Sequence, residues 1–267
     1  MMQDLFRKFD RVKLDCQDRI SSEDQSFGAK LQQEFTEFVT FANSYLVFLN
    51  QNVVTNDLYN SKELITEMEK VMKKKTNDFI TKIVWHFEKA YAITLNSEKV
   101  SAKYNHEVTF NQIVVEIFEQ IGGYELLDKA AEEIKAKLCR EIRERVNVKN
   151  CKVSIDVYPY LEYTWDGRGL RIFYQAEEKL RKLFRAITHF DDGRTIADDD
   201  LTVIANGESR PEEYWFKEQA INGKNKLQGL RFYKNGRIDI RFTSTDQALQ
   251  FAQEYCGYLP EFTAKIA

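Results

Sequence analysis

Residue types that commonly carry out chemistry are sparse in this sequence of 267 residues. The three histidines share no HxxxH or HxxE spacing, and the four cysteines form no CxxC pair, although zinc sites require spacings of that kind. No GxSxG elbow marks a nucleophile, and no GxGxxG or Walker loop marks a phosphate cradle. The sequence therefore identifies no catalytic residue and no metal ligand, and it predicts no cofactor.

Carboxylates provide the one remaining route to catalysis. Asp156, Glu162, Asp191 and Asp192 would bind a divalent cation only if the fold brought them into one pocket. The acidic run that begins at Asp191 lacks the alternating spacing of a calcium loop, and a solvated loop with a helix cap is the favoured interpretation. A metal-dependent enzyme that uses these carboxylates stays open as an alternative.

Cationic residues near the C-terminus form the best candidate site. They alternate along residues 230–242, a segment with the pattern of a β-hairpin around Asn235 and Gly236. On the outer face of such a hairpin, cations would meet phosphates and Tyr233 would stack on a base, whereas charges on an exposed strand also guard a sheet against aggregation. The candidate binding residues are Arg231, Tyr233, Lys234, Arg237, Arg241, Lys224 and Lys226.

The turn of this hairpin decides which side chains share the outer face. A two-residue Asn-Gly loop would pair Phe232 with Asp239 and would place charge on the apolar face. A three-residue loop with a bulge at Gly236 pairs Phe232 with Ile238 instead. The same register sets Arg231 opposite Asp239 on the outer face. The sequence therefore predicts the bulged loop.

Hydrophobic periodicity predicts the elements that must position these residues. Apolar residues recur at helical spacing through most of residues 31–142, and near Val148 the period changes from about 3.6 to about 2. Ser244 and Gln247 have the spacing of a capping box and begin a closing helix. The predicted regions are a helical region over residues 1–100, a helical connection over 101–147 and an α+β region over 148–267.

The predicted fold class is α+β, with a helical N-terminal half followed by a small antiparallel sheet, including the C-terminal hairpin, packed with helices. A content of 43% hydrophobic and 30% charged residues with only three prolines suits a folded, helix-rich chain. The net charge of −3 excludes a global field that would attract the chain to nucleic acid or to an anionic membrane. A polyanion would therefore have to meet a local patch.

The N-terminal residues indicate the expected location of the protein. Charges interrupt the opening Met1–Lys8, so no signal peptide is expected, and no apolar run approaches the roughly 20 residues that span a bilayer. Without an export signal, the cysteines are expected to be reduced. The sequence predicts a cytoplasmic protein with no membrane partner.

The C-terminal segments resemble an uncharacterised family of bacterial and phage domains. Residues 226–242 and the capped helix after them are similar to the family's ending, which has the form aromatic-Lys-Asn-Gly-Asn-x-His/Asp-x-x-Phe. Residues 183–193, an apolar helical stretch that ends in Asp192-Gly193, resemble the family's upstream segment. The resemblance covers roughly residues 75–260 and implies a setting on prophages, plasmids and other mobile elements.

Some members of that family carry the domain alongside a predicted DNA adenine methyltransferase. This sequence has no Asn/Asp-Pro-Pro-Tyr/Phe tetrad to hold a flipped adenine, and no glycine-rich cofactor loop after a strand. The resemblance therefore implies a mobile-element setting and does not imply methyltransferase activity for this chain.

Three functions from different classes follow as hypotheses. The first is a non-catalytic accessory module that contacts DNA or RNA through the outer face of the hairpin. The second is a protein-interaction or self-assembling module, which the aromatic helices of the first hundred residues suggest. The third is the carboxylate-dependent enzyme described above.

Overall fold

The computed structural model describes residues 16–52, 58–142, 146–156, 161–165, 167, 169–204, 208–221 and 223–259. The chain divides into two compact units, residues 1–129 (the helical unit) and residues 130–267 (the sheet unit). The described elements of the helical unit are helices, and the sheet unit combines a small antiparallel sheet with helices. This arrangement confirms the predicted α+β class.

The helical unit is built on a pair of long helices, α1 (Ser22–Asn52) and α2 (Leu58–Tyr91), which pack along each other. Phe35 of α1 stacks on Phe79 of α2, with ring centroids 4.3 Å apart. The shorter helices α3 (Ser97–Ser101) and α4 (Phe110–Gln120) pack against α2. Fully buried side chains at these contacts include Ile80, Ile83, Phe87, Ile113, Ile117 and Phe118.

A buried carboxylate ties the start of α1 to the end of α2. Asp24 Oδ1 lies 2.6 Å from His86 Nε2, and Oδ2 accepts hydrogen bonds from Tyr91 Oη at 2.6 Å and from Ser21 Oγ at 2.7 Å. Burial by itself would raise the pKa of Asp24, but these hydrogen bonds outweigh it and lower the pKa below its ordinary value. Burial and the neighbouring carboxylate raise the pKa of Tyr91 to about 12. The four residues form the Asp24 cluster.

The sheet unit contains a five-stranded antiparallel sheet. Helix α5 (Leu126–Ile142) precedes the first strand, and its first residues belong to the helical unit. In spatial order the strands are β1 (Val146–Lys149), β2 (Lys152–Asp156), β7 (Arg237–Phe242), β6 (Leu227–Phe232) and β5 (Gln219–Ala220).

The inner face of the sheet is apolar and packs against α6 (Tyr174–Asp192) and α9 (Thr245–Cys256). Phe190 of α6 meets Phe242 of β7 edge to face, with ring centroids 5.6 Å apart, and Phe251 of α9 lies 5.4 Å from Phe190. Buried strand residues on this face are Val153, Ile155, Leu230, Phe232, Ile238 and Ile240. The opposite face of the sheet is called the outer sheet face below.

A second, two-stranded sheet joins β3 (Leu161–Tyr163) to β4 (Leu170–Ile172). Helices α7 (Asp199–Ile204) and α8 (Glu212–Phe216) follow α6. Trp215 of α8 is buried and donates its indole N–H to the carbonyl of Leu170 at 3.0 Å. This bond satisfies the one polar group of a large core side chain.

The C-terminal hairpin has the register that the sequence predicts. Phe232 pairs with Ile238 and Arg231 with Asp239, so the two-residue alternative is absent. The N–H of Tyr233 donates to the carbonyl of Arg237 at 2.9 Å, which closes a three-residue loop. Gly236 has a φ of 87°, the left-handed conformation that such a bulge needs. The predicted bulged loop is confirmed.

Two further observations concern the whole described part of the chain. None of its helices is long and apolar enough to cross a membrane. Cys139, Cys151 and Cys256 lie within it and carry free thiols.

Gly236→Ala should lower the free energy of unfolding by about 1–2 kcal/mol, because a β-carbon is strained at a positive φ. Gly236→Asn should cost less, since asparagine tolerates the left-handed region better than other residues with a β-carbon. Urea denaturation followed by circular dichroism measures both changes. Equal stability of the wild type and Gly236→Ala would contradict the assigned loop geometry.

Candidate nucleic-acid interface

Cations from three adjacent strands lie side by side on the outer sheet face. The strand registers place Lys149 of β1 opposite Lys152 of β2, and Lys152 opposite Arg241 of β7. Like charges directly opposite each other destabilise a sheet. This cation row therefore has an energetic cost that the fold has to offset.

Two of the three cations in the row have a carboxylate partner. Lys152 Nζ lies 2.8 Å from Asp239 Oδ2, and Arg241 Nη1 lies 2.9 Å from Glu218 Oε1. Among the described residues, no carboxylate lies within ion-pair distance of Lys149. Lys149 is thus the exposed member of the row that has no compensating carboxylate in the described part of the chain.

Asp239 is the centre of the outer sheet face, and only 4% of its surface is exposed. Besides Lys152, it accepts hydrogen bonds from Ser154 Oγ at 2.7 Å and from Tyr233 Oη at 2.8 Å, and Arg237 Nε lies 3.2 Å away. Burial alone would raise its pKa, but the hydrogen bonds from Lys152, Ser154 and Tyr233 outweigh burial and hold the pKa below its ordinary value. Asp239 therefore stays ionised and orients the side chains around it.

Two arginines, Arg231 and Arg237, place their guanidinium groups over the aromatic ring of Tyr233. The guanidinium carbon of Arg237 lies 3.9 Å from the centroid of the Tyr233 ring, and that of Arg231 lies 5.0 Å from it. Guanidinium groups therefore already lie over the ring on which the sequence-based hypothesis stacks a base. The arginine planes themselves are the surfaces that a base would meet.

Glycine at position 229 leaves space in the middle of this surface. A β-carbon on Gly229 would lie 2.7 Å from the carbonyl oxygen of Gln219 on β5, so the close approach of the two strands requires glycine. Gly229 lines a shallow hollow of about 370 Å³ beside the cation row. Its polar and charged lining includes Lys149, Asn150, Lys152, Glu218, Arg231, Tyr233, Asp239 and Arg241.

The described part of the outer sheet face carries more cations than carboxylates. Arg231 has no carboxylate within ion-pair distance among the described residues, like Lys149. The cationic side chains are Lys149, Lys152, Arg231, Arg237 and Arg241, and the carboxylates are Asp156, Glu218 and Asp239. The face is therefore locally basic in a chain whose net charge is −3.

The structure brings some of the sequence-predicted residues together and separates others. Arg231, Tyr233, Arg237 and Arg241 share the outer sheet face. Lys234 lies at the hairpin tip, where its ammonium group pairs with Glu212 and lies 5.4 Å from the centroid of the Phe216 ring. Lys234 is therefore attached to α8 rather than to the cation row.

Lys224 and Lys226 contact the carboxyl end of α6 instead. Lys226 Nζ donates to the carbonyl of Phe190 at 2.6 Å, and its backbone N–H donates to Asp191 Oδ1 at 2.7 Å. Lys224 is almost fully buried and pairs with Asp198, whose pKa this bond and Arg194 lower to about 2. Both lysines thus stabilise the segment that leads into β6.

The carboxylates proposed for metal chemistry take part in separate interactions. Glu162 pairs with Arg171 at 2.8 Å, Asp192 pairs with Arg194 at 2.7 Å, and Asp156 lies opposite Arg237 in the sheet. Within the described ranges, no three His, Cys, Asp or Glu side chains group in a way that could hold a metal ion.

Lys149 and Lys152 are the functional candidates that sequence reasoning missed. The alternation along residues 151–158 already placed Lys152 on the polar side of a strand. The pairing of β2 with β7 joins segments about 85 residues apart and has no local sequence signal. Only that pairing shows that these lysines and the hairpin arginines form one surface.

Comparison of the chain with protein-family models, with curated proteins and with solved structures finds no match. The geometry of the outer sheet face therefore carries the functional argument.

Asp239→Asn should lower the free energy of unfolding at pH 7 by about 3 kcal/mol, because it leaves Lys152 and Arg237 facing each other without a buried anion. The matched control Asp156→Asn removes an exposed carboxylate from the same face and should change stability by less than about 0.5 kcal/mol.

The stabilisation by Asp239 has a defined pH dependence. Its folded-state pKa lies below the ordinary value of 3.8, so the contribution is complete above that pH and is lost as the pH falls through the folded-state pKa. The difference between wild type and Asp239→Asn, measured by denaturant unfolding, should therefore shrink below pH 4. A difference that stays constant down to pH 2 would contradict this assignment.

Proposed function

We propose that the chain is a non-catalytic, nucleic-acid-associated module, and that the outer sheet face is its contact surface. The cation row of Lys149, Lys152 and Arg241 is the observation that carries the proposal. Like charges in register repel one another, and the negative charges of a phosphate backbone would offset that repulsion. Binding would also release the counterions condensed on the backbone, which favours association.

The shape of the surface supports a single strand over a duplex. A sheet face that presents arginine planes allows splayed bases to stack while phosphates meet the cations. Arg231 and Arg237 lie over Tyr233, and the hollow at Gly229 lies between them and the cation row. Bases would lie on the arginine side of the hollow and phosphates on the lysine side.

The electrostatics predict weak, local binding. Three of the five cations are already paired with carboxylates, which leaves Lys149 and Arg231 as the cations available for new phosphate contacts. The resemblance to a bacterial and phage domain family would give the proposed module a setting on mobile elements.

Fluorescence anisotropy with a labelled 20-nucleotide single strand tests the proposal. Lys149→Ala combined with Arg231→Ala should weaken binding about tenfold or more at 50 mM salt, and should reduce the slope of log affinity against log salt by about 1.4. Both residues lack ion-pair partners among the described residues, so the double variant should keep wild-type stability.

Arg181→Ala is the matched control, since Arg181 is an exposed cation of the sheet unit on α6. It should leave both affinity and salt slope unchanged. Parallel titrations with DNA, RNA and duplex DNA rank the three forms. Absence of binding to all of them at 50 mM salt, or equal loss in the control and in the double variant, would refute the proposal.

A further inference from the structure

Large apolar side chains are exposed on the half of the α1–α2 pair that lies farthest from the Asp24 cluster. On α1, Phe41 is 63% exposed and Phe48 is 60% exposed, and on α2, Leu64 is 44% and Val71 is 41% exposed. An apolar patch of this kind on a monomer usually marks an interaction site.

The exposed residues form two stripes with coiled-coil spacing. Phe41, Tyr45 and Phe48 are related by four and then three residues on α1, and Tyr45 stacks beside Phe41 with ring centroids 6.3 Å apart. Leu64 and Val71 are seven residues apart on α2, with the half-buried Met68 between them. Spacing of this kind is typical of a helix seam that inserts into a facing helix.

Both stripes lie on the same side of the helical pair. The stack of Phe35 on Phe79 fixes which residues of α1 and α2 face each other. At 100° per residue, the exposed stripe of each helix lies about 90° around the helix axis from the residues that face the other helix. This rotation has the same sense in α1 and α2 when each helix is viewed from its N-terminus. Because the helices run antiparallel, the same sense places the two stripes on one face, here called the helical-pair face.

We propose that the helical-pair face is the interface of a homodimer, in which two copies of the α1–α2 pair form an antiparallel four-helix bundle. A two-fold axis along the bundle places α1 of one copy against α2 of the other, with neighbouring helices antiparallel. A single face that carries two parallel apolar stripes is self-complementary under that axis.

The charges on α1 and α2 support a second copy of the chain as the partner that covers the helical-pair face. Beyond Lys30, α1 carries Glu34 and Glu37 and no cation, whereas α2 carries four lysines within residues 70–75. Among the described residues, Lys74 and Lys75 have no carboxylate within ion-pair distance. Packing α1 against the α2 of a second copy brings Glu37 level with that lysine run, so opposite charges flank the apolar stripes.

The buried area is also sufficient. With about 200 Å² for a complete aromatic side chain, the exposed parts of these apolar residues sum to roughly 500 Å² per copy. Two copies would bury roughly 1,000 Å² of apolar side chain, and the flanking polar residues add to this. That total reaches the lower limit for a specific interface.

Analytical ultracentrifugation of the full chain between about 1 and 100 µM tests the proposal. The wild type should sediment as a species of twice the 31.5 kDa chain mass. Phe41→Glu combined with Phe48→Glu should give a monomer of unchanged helical content. Tyr174→Glu is the control, because Tyr174 is a 69% exposed aromatic residue at the start of α6 in the sheet unit, and this variant should stay dimeric.

Charge reversal tests the pairing of α1 with α2 independently of the aromatic variants. Glu37→Lys should weaken the dimer several-fold, and adding Lys74→Glu should restore most of that loss. A monomeric wild type at 100 µM, or a dimer that survives the double phenylalanine variant in folded form, would overturn the proposed interface. Additive losses from the two charge reversals would overturn the pairing of α1 with α2.

Discussion

The register of β7 is the constraint on which the sheet unit depends. This central strand pairs with β2 on one side and with β6 on the other, and its side chains alternate between the two faces. Ile238, Ile240 and Phe242 enter the core, while the charged residues between them face outward. A shift of one residue would exchange the two sets, so the three-residue loop at Gly236 determines both the core and the surface.

The outer sheet face shows how a fold can carry a costly arrangement of charge. Asp239 is buried on the side of the sheet that faces solvent, because Lys152, Tyr233 and Arg237 close over it. The anion offsets part of the repulsion in the cation row and holds the arginines in place. The Asp239 carboxylate therefore contributes both to stability and to the proposed binding function. Lys149 and Arg231 are the cations that would contact an external anion.

Sequence reasoning reached the hairpin because its signals are local. Turn chemistry at Gly236 and the alternation around it are sufficient to derive the register. Ser244 accepts a hydrogen bond from the N–H of Gln247 at 3.2 Å, which is one of the two bonds of the predicted capping box. Lys149 and Lys152 lay beyond that reasoning, since their place beside Arg241 depends on long-range strand pairing. Lys224 and Lys226 are close to the hairpin in sequence, yet the chain there follows the end of α6.

The Asp24 cluster has a consequence for how the helical unit moves. It fastens α1 to α2 at one end through a charged group with several donors, whereas contacts such as the Phe35–Phe79 stack hold the helices farther along. Opening at the Asp24 end would leave a buried carboxylate without its donors, which is strongly destabilising, so partial opening should start at the end remote from Asp24. The rate of amide hydrogen exchange would then increase along both helices with distance from His86. A second copy bound at the remote end would slow exchange at the amides that are least protected in the isolated chain.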